Sequence, residues 1–176
     1  MVKKIALGLV AVIVLLLAFA ATRPNTFRVE RSEAIKAPPA KVFGLLNDFH
    51  AFPSWSPWQH LDPKMTTTHS GAANGPGAVY VWKGNSDVGE GRMEILKTVP
   101  GQQVTVQLDF IEPFAARNTS EYTLAVQGDT TTVTWAMFGP NAYINKLMGV
   151  FISMDSMIGK DFELGLRQLK AAAEKP

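Results

Sequence analysis

The chain predicts an α+β domain behind one N-terminal transmembrane helix, and three observations predict it. The first is an uninterrupted apolar run near the N-terminus, IALGLVAVIVLLLAFAA, Ile5 to Ala21. The second is a stretch from Met65 to Phe138 in which short alternating segments are separated by glycine-rich turn signals. The third is a C-terminal segment whose apolar residues Ile144, Leu147, Phe151, Ile158, Phe162 and Leu169 recur at helical spacing.

The apolar run is 17 residues long and follows Lys3 and Lys4. As a helix it reaches about 26 Å, enough to cross a hydrocarbon core of about 30 Å with slight adjustment. The sequence is therefore read as an anchor at 1–22, a linker at 23–26 and a domain at 27–173. The flanking lysines put the N-terminus in the cytoplasm and the domain on the periplasmic side of a bacterial inner membrane. Cleavage as a signal peptide is the alternative, because Ala18-Phe19-Ala20 fits an A-x-A site.

Of 17 Lys and Arg residues, two precede the apolar run, and all 15 acidic residues follow it. The domain is therefore formally neutral, which argues against a nucleic-acid partner, whose phosphates demand a basic surface. The chain holds no cysteine, so disulfides, thiolate nucleophiles and cysteine-based zinc sites are excluded.

Phe27 to Ala37 alternates as a first strand, and Pro38-Pro39 stops it and opens a short helix carrying Val42, Phe43, Leu45 and Leu46. A turn-rich box, FPSWSPW, Phe52 to Trp58, comes next. The strands VYVWKG, GRMEILKTV, VTVQLDFI, SEYTLAV and TTVTWAMF then read as an antiparallel meander of five or six strands. In the third, Val104, Val106, Leu108 and Phe110 form a covered face opposite Thr105, Gln107 and Asp109. Pro140-Asn141 predicts the start of one long helix, with Asn141 as cap, that must lie across the sheet to bury its stripe.

Several motifs in this order resemble the SRPBCC superfamily, with its START-like or helix-grip fold. Within it the chain resembles the membrane-anchored group labelled polyketide cyclase/dehydrase. The matching segments are IKAPPAKVFGLLND (35–48), WSPW (55–58), GEGRMEIL (89–96) and MIGKDFELGLRQLK (157–170). The resemblance implies a bent antiparallel sheet gripping the C-terminal helix, with an apolar cavity between them. It also implies a hydrophobic ligand, since members bind lipids, sterols, polyketides or plant hormones and a few perform chemistry.

Candidate ligand-binding residues follow from side-chain type and parity. Trp55 and Trp58 either gate the cavity, plug the core end or meet a membrane interface. Tyr80 and Trp82 share one strand face and Trp135 and Met137 another; Phe110, Phe151 and Met154 extend the apolar, methionine-containing wall. Measured at 100° per residue from Phe151, Asp155 falls about 40° from the centre of the helical stripe, so it needs a partner, water or a raised pKa. Glu90 and Arg92 share a strand parity and are its expected companions in the cavity. The predicted function is binding of a hydrophobic small molecule or lipid. One alternative is a cyclase or dehydratase with Asp155 or Glu90 as acid/base; another is an envelope protein-interaction module without ligand. No cofactor is expected. Nor is a metal, since His50, His60 and His69 lack a ligating spacing.

Overall fold

The structure is a computed structural model and describes residues 2–175. A 21-residue helix, α1 (Val2–Thr22), leads into β1 (Thr26–Ile35) and α2 (Pro39–Leu46). After a 3-10 turn at Phe52–Ser54 come β2 (Thr66–Gly71), β3 (Ala78–Lys83), β4 (Glu90–Val99), β5 (Gln103–Glu112), β6 (Ala116–Gln127) and β7 (Thr130–Pro140). Two helices close the chain, α3 (Tyr143–Met148) and α4 (Met154–Ala173).

The seven strands form one antiparallel sheet in the order β1-β7-β6-β5-β4-β3-β2. β2 to β7 are a meander joined by short turns, and β7, the last strand, pairs with β1, the first, along its whole length, from Thr26↔Pro140 to Ile35↔Thr131. Strand alternation sets which side is covered. Val104 and Val106 of β5, Ser120 and Tyr122 of β6, and Val133, Trp135 and Met137 of β7 are buried on the concave face. On α4, Phe162, Leu166, Leu169 and Ala173 recur at spacings of 4, 3 and 4 and are almost fully buried. Each such Leu or Phe contributes about 1.5–3 kcal/mol on leaving water, and this stripe holds the helix in the grip of the sheet.

Close approach of α4 to the Trp135 ring depends on a glycine. A Cβ on Gly165 would stand 2.8 Å from Cζ3 of Trp135 and 3.1 Å from Cδ of Pro57. With hydrogen there instead, Phe162 stacks on Trp135 with ring centroids 4.0 Å apart and planes 7° from parallel.

The C-terminal segment departs from the single helix expected. It is broken at Gly149–Ser153, with Gly149 ending α3 and Ser153 capping α4 through a bond from Ser156 N to its Oγ of 3.1 Å. Asn141 does not cap α3; Ala142 occupies that position, and the Asn141 amide donates to the Pro24 carbonyl at 3.2 Å. The first strand also begins and ends slightly earlier than alternation suggested, because Lys36 and Ala37 already turn toward the proline pair.

α1 packs on the domain only at its C-terminal end. Ala20 is its one buried residue, Leu16 is partly covered, and its remaining apolar side chains are exposed. It is long and apolar enough to cross a membrane, a property shared by membrane spans and signal sequences.

Candidate functional site

A cavity of about 200 Å³ lies between the concave face of the sheet and α4. Its floor comes from the inward parity of five strands: Tyr80 and Trp82 on β3, Met93 on β4, Leu108 and Phe110 on β5, Ser120 and Tyr122 on β6, Trp135 and Met137 on β7. Ile158 and Phe162 of α4 cover it, and Phe52, Ser56, Trp58 and Met65 close one side. Asp87 and Val88, from the loop joining β3 and β4, complete the wall.

Register explains how large rings fit together here. Trp82 faces Gly91 across the β3–β4 pair, and Tyr80 faces Met93. A Cβ on Gly91 would collide with the Trp82 ring and stand 2.7 Å from the Asp109 carbonyl, so only glycine lets that indole lie over β4. Its Nε1 donates to the Val88 carbonyl at 3.0 Å, which ties the β3–β4 loop to the cavity wall.

Trp135 is the hub of the aromatic cluster. It meets Trp55 edge-on at 5.7 Å and Trp58 edge-on at 5.9 Å, lies tilted against Tyr122 at 5.3 Å, and stacks on Phe162. Edge-to-face and offset arrangements suit the quadrupoles of these rings. Its Nε1 donates to Ser120 Oγ at 2.8 Å.

The two tryptophans of the FPSWSPW box have different positions. Trp55 is 2% exposed, donates from Nε1 to the Leu45 carbonyl at 3.1 Å and fills the core beneath α2 without reaching the cavity wall. Trp58 is half-buried and lines the cavity.

Polar groups at the cavity are few and neutral in its interior. Burial pushes the Tyr80 phenol up to about 12, and Tyr122 further still, so both stay protonated at physiological pH. Ser56 and Ser120 add hydroxyls. Asp87, which is exposed, is the single charged side chain among the lining residues.

The expected charged companions lie elsewhere. Glu90 and Arg92 do share a parity, but it is the outer one: Gly91, Met93 and Ile95 take the inner face. Glu90 accepts from Lys83 Nζ at 2.6 Å and Arg92 pairs with Glu94 at 2.7 Å, both on the convex side. Asp155 sits in the first turn of α4, outside the cavity, where Arg31 of β1 donates to both its oxygens at 2.7 and 3.0 Å. Arg31 also donates to Glu163 at 2.8 Å. Hydrogen bonding from Arg31 holds the Asp155 carboxyl below its usual range, opposite to the shift a desolvated acid would show. Phe151 falls in the break between α3 and α4 and is 72% exposed, so it contributes nothing to the cavity. Met154 packs on the edge of the core, next to Ile158 rather than among the lining residues.

Sequence reasoning did not pick out Ser120, Tyr122, Met93 or Val88. Cross-strand pairing would have found Met93, because a residue opposite Tyr80 must share its face. The turn-rich GNSDVGEG stretch gave no sign that Val88 would curl back to the wall.

Among the described residues, no three His, Asp or Glu side chains cluster as a metal site. His50 stacks on His69 with ring centroids 4.3 Å apart.

The model of the polyketide cyclase/dehydrase and lipid transport family matches residues 26–174, which is the whole sheet, α2, α3 and α4. The chain belongs to that family. This polyketide cyclase/dehydrase and lipid transport domain adopts the helix-grip fold, and solved structures share it at low identity. A Chromobacterium violaceum protein aligns over 88% of this chain and 100% of its own, with a TM-score of 0.59 and 18% identity. The Aha1 dimer from Colwellia psychrerythraea covers 84% and 96% respectively, at 0.57 and 19%. The di-domain ARO/CYC BexL of the BE-7585A biosynthetic pathway aligns over 91% of this chain and 54% of its own, at 0.60 and 13%. These likenesses establish the fold. No curated protein sequence matches the chain.

Proposed function

We propose that this protein is a membrane-anchored binding protein for a hydrophobic small molecule or lipid, held between the sheet and α4. The observation that carries the reading is the cavity of about 200 Å³, walled by Trp58, Tyr80, Trp82, Phe110, Trp135 and Met137, with only neutral hydroxyls in its interior. An apolar cavity of about 150 Å³ is enough to take up benzene, so this space suits one or two rings or a short acyl segment. Sites for whole drug-sized ligands run to about 300–1,000 Å³; a larger ligand would therefore insert one end and leave the rest at the mouth. Affinity would come from burying apolar surface at about 25 cal/mol per Å², less the cost of ordering. Tyr80 and Ser56 are placed to orient a single polar end.

The acid/base alternative with Asp155 or Glu90 needs that carboxyl within reach of the ligand. Asp155 and Glu90 are each engaged in an ion pair outside the cavity, which favours binding over catalysis by these two residues. The α1 helix would hold the domain against the periplasmic side of the inner membrane, where an apolar ligand leaving the bilayer is nearest.

Titration with a polarity-sensitive naphthalene probe tests the reading, since three tryptophans line the cavity and report occupancy by quenching. Saturable binding that weakens in Trp58→Ala is expected. Absence of saturable binding by the wild type, or full binding by a variant whose cavity is filled, would count against it.

A further inference from the structure

The segment joining the sheet to α4 is unusually apolar on its surface. Tyr143, Ile144, Met148, Phe151 and Ile152 are between 46% and 72% exposed. From Tyr143 to Met154 the only charged residue is Lys146, and it is buried, with its ammonium against Asn25 Oδ1. The exposed side of this stretch thus carries no charge at all. A patch of this kind normally marks a surface that something covers.

Its neighbour identifies the cover. The Tyr143 hydroxyl donates to the Leu17 carbonyl of α1 at 2.8 Å, and Arg23 donates to the Gly149 carbonyl at 3.5 Å. Leu17 lies four residues before Ala21, the end of the apolar run, which places the contact about 6 Å inside that end at 1.5 Å per residue. Helices that lie in a membrane interface bury their apolar face by about 5–10 Å. Tyrosine is enriched at that depth.

We infer that α3 and the Gly149–Ser153 turn form a membrane-seating surface, with Ile144, Phe151 and Ile152 embedded in the interface of the bilayer that α1 spans. The inference rests on the reading of α1 as a retained span. It adds an orientation: the end of the sheet where β1 starts and β7 ends faces the lipid, and the domain is not free to tumble on its linker. Ile158, one turn along α4 from Met154, lines the cavity, so seating brings that wall beside the bilayer.

The chain has no cysteine of its own, which makes a depth measurement direct. The full chain is reconstituted in vesicles of phosphatidylcholine and phosphatidylglycerol with a single environment-sensitive label at Phe151→Cys. Two reference positions are labelled separately: Ile13→Cys within α1, and Gln127→Cys at the opposite end of the sheet. Lipids carrying a nitroxide at a shallow or a deep acyl position then quench the label. The expected result is blue-shifted emission at position 151 with stronger quenching by the shallow nitroxide. Position 13 should respond more to the deep one and position 127 to neither. Quenching at 13 with none at 151 would overturn the seating surface while leaving the anchor intact. No quenching at 13 would overturn the anchor, and the inference with it.

Discussion

Phe162→Ala tests whether the sheet and α4 form a rigid frame around the cavity. Phe162 is 2% exposed, lines the cavity and stacks on Trp135 at 4.0 Å. Removing its ring loses about 2 kcal/mol of transfer free energy. It also joins about 100 Å³ to the existing space, which at about 24 cal/mol per Å³ adds roughly 2.4 kcal/mol if nothing collapses. Loss of the stacked pair contributes about 0.5–1.5 kcal/mol more. The total is about 5 kcal/mol, a large share of the 5–15 kcal/mol typical of a domain. For a domain of about 150 residues this lowers Tm by roughly 10–20 °C. The assay is urea and thermal unfolding of residues 24–176, a piece that keeps the entire core cluster from Val29 to Ala173. A saturating apolar ligand should restore part of the loss, because binding to the folded state stabilises by RT ln(1 + [L]/Kd). A loss below about 1 kcal/mol would show that α4 settles into the gap, and the account of a preformed cavity would fall.

Three further outcomes are expected. Leu108→Phe adds a ring to the cavity wall and should abolish probe binding while unfolding within about 1–3 kcal/mol of wild type; retained affinity in a probe titration would place the ligand elsewhere. Ser120→Ala orphans the buried Trp135 N–H and should cost about 1–3 kcal/mol by urea denaturation; no change would mean that another acceptor reaches the indole. Asp155→Asn concerns pH. Because the folded carboxyl is held below its unfolded pKa of about 3.9, its contribution is present above that value and lost as pH falls through the folded pKa. Acid titration of the variant should therefore show a flatter loss of stability below about pH 4, with probe binding at neutral pH unchanged. Reduced binding at neutral pH would return the carboxylate to the site.

The alternation of Val104 to Phe110 and the glycine turns made the meander legible, since a period of two with one covered face admits few other structures. The stripe on α4 was equally clear. The break before it was not, because Ile144, Leu147 and Phe151 keep helical spacing through a five-residue interruption that preserves the apparent period. Gly149 and Ser153 were the signals, a residue suited to a helix end followed by a good N-cap. Taking Phe151 as part of the stripe then carried Asp155 inward with it. For Glu90 and Arg92, parity was read correctly and the face was not. Which parity of β4 points inward is fixed by its register against Trp82, and register is a property of the pair rather than of either strand. The role of Trp55 as packing and the place of Trp58 in the wall likewise depend on a non-repetitive loop, where periodicity has no purchase.

The most direct test of a ligand-holding cavity is native mass spectrometry of residues 24–176 purified gently from the cells that make them. The account predicts a stoichiometric apolar passenger on the wild type that is absent from Leu108→Phe. A bare wild-type mass, together with failure to take up a fluorescent lipid, would contradict it and leave the domain as a module that binds another protein.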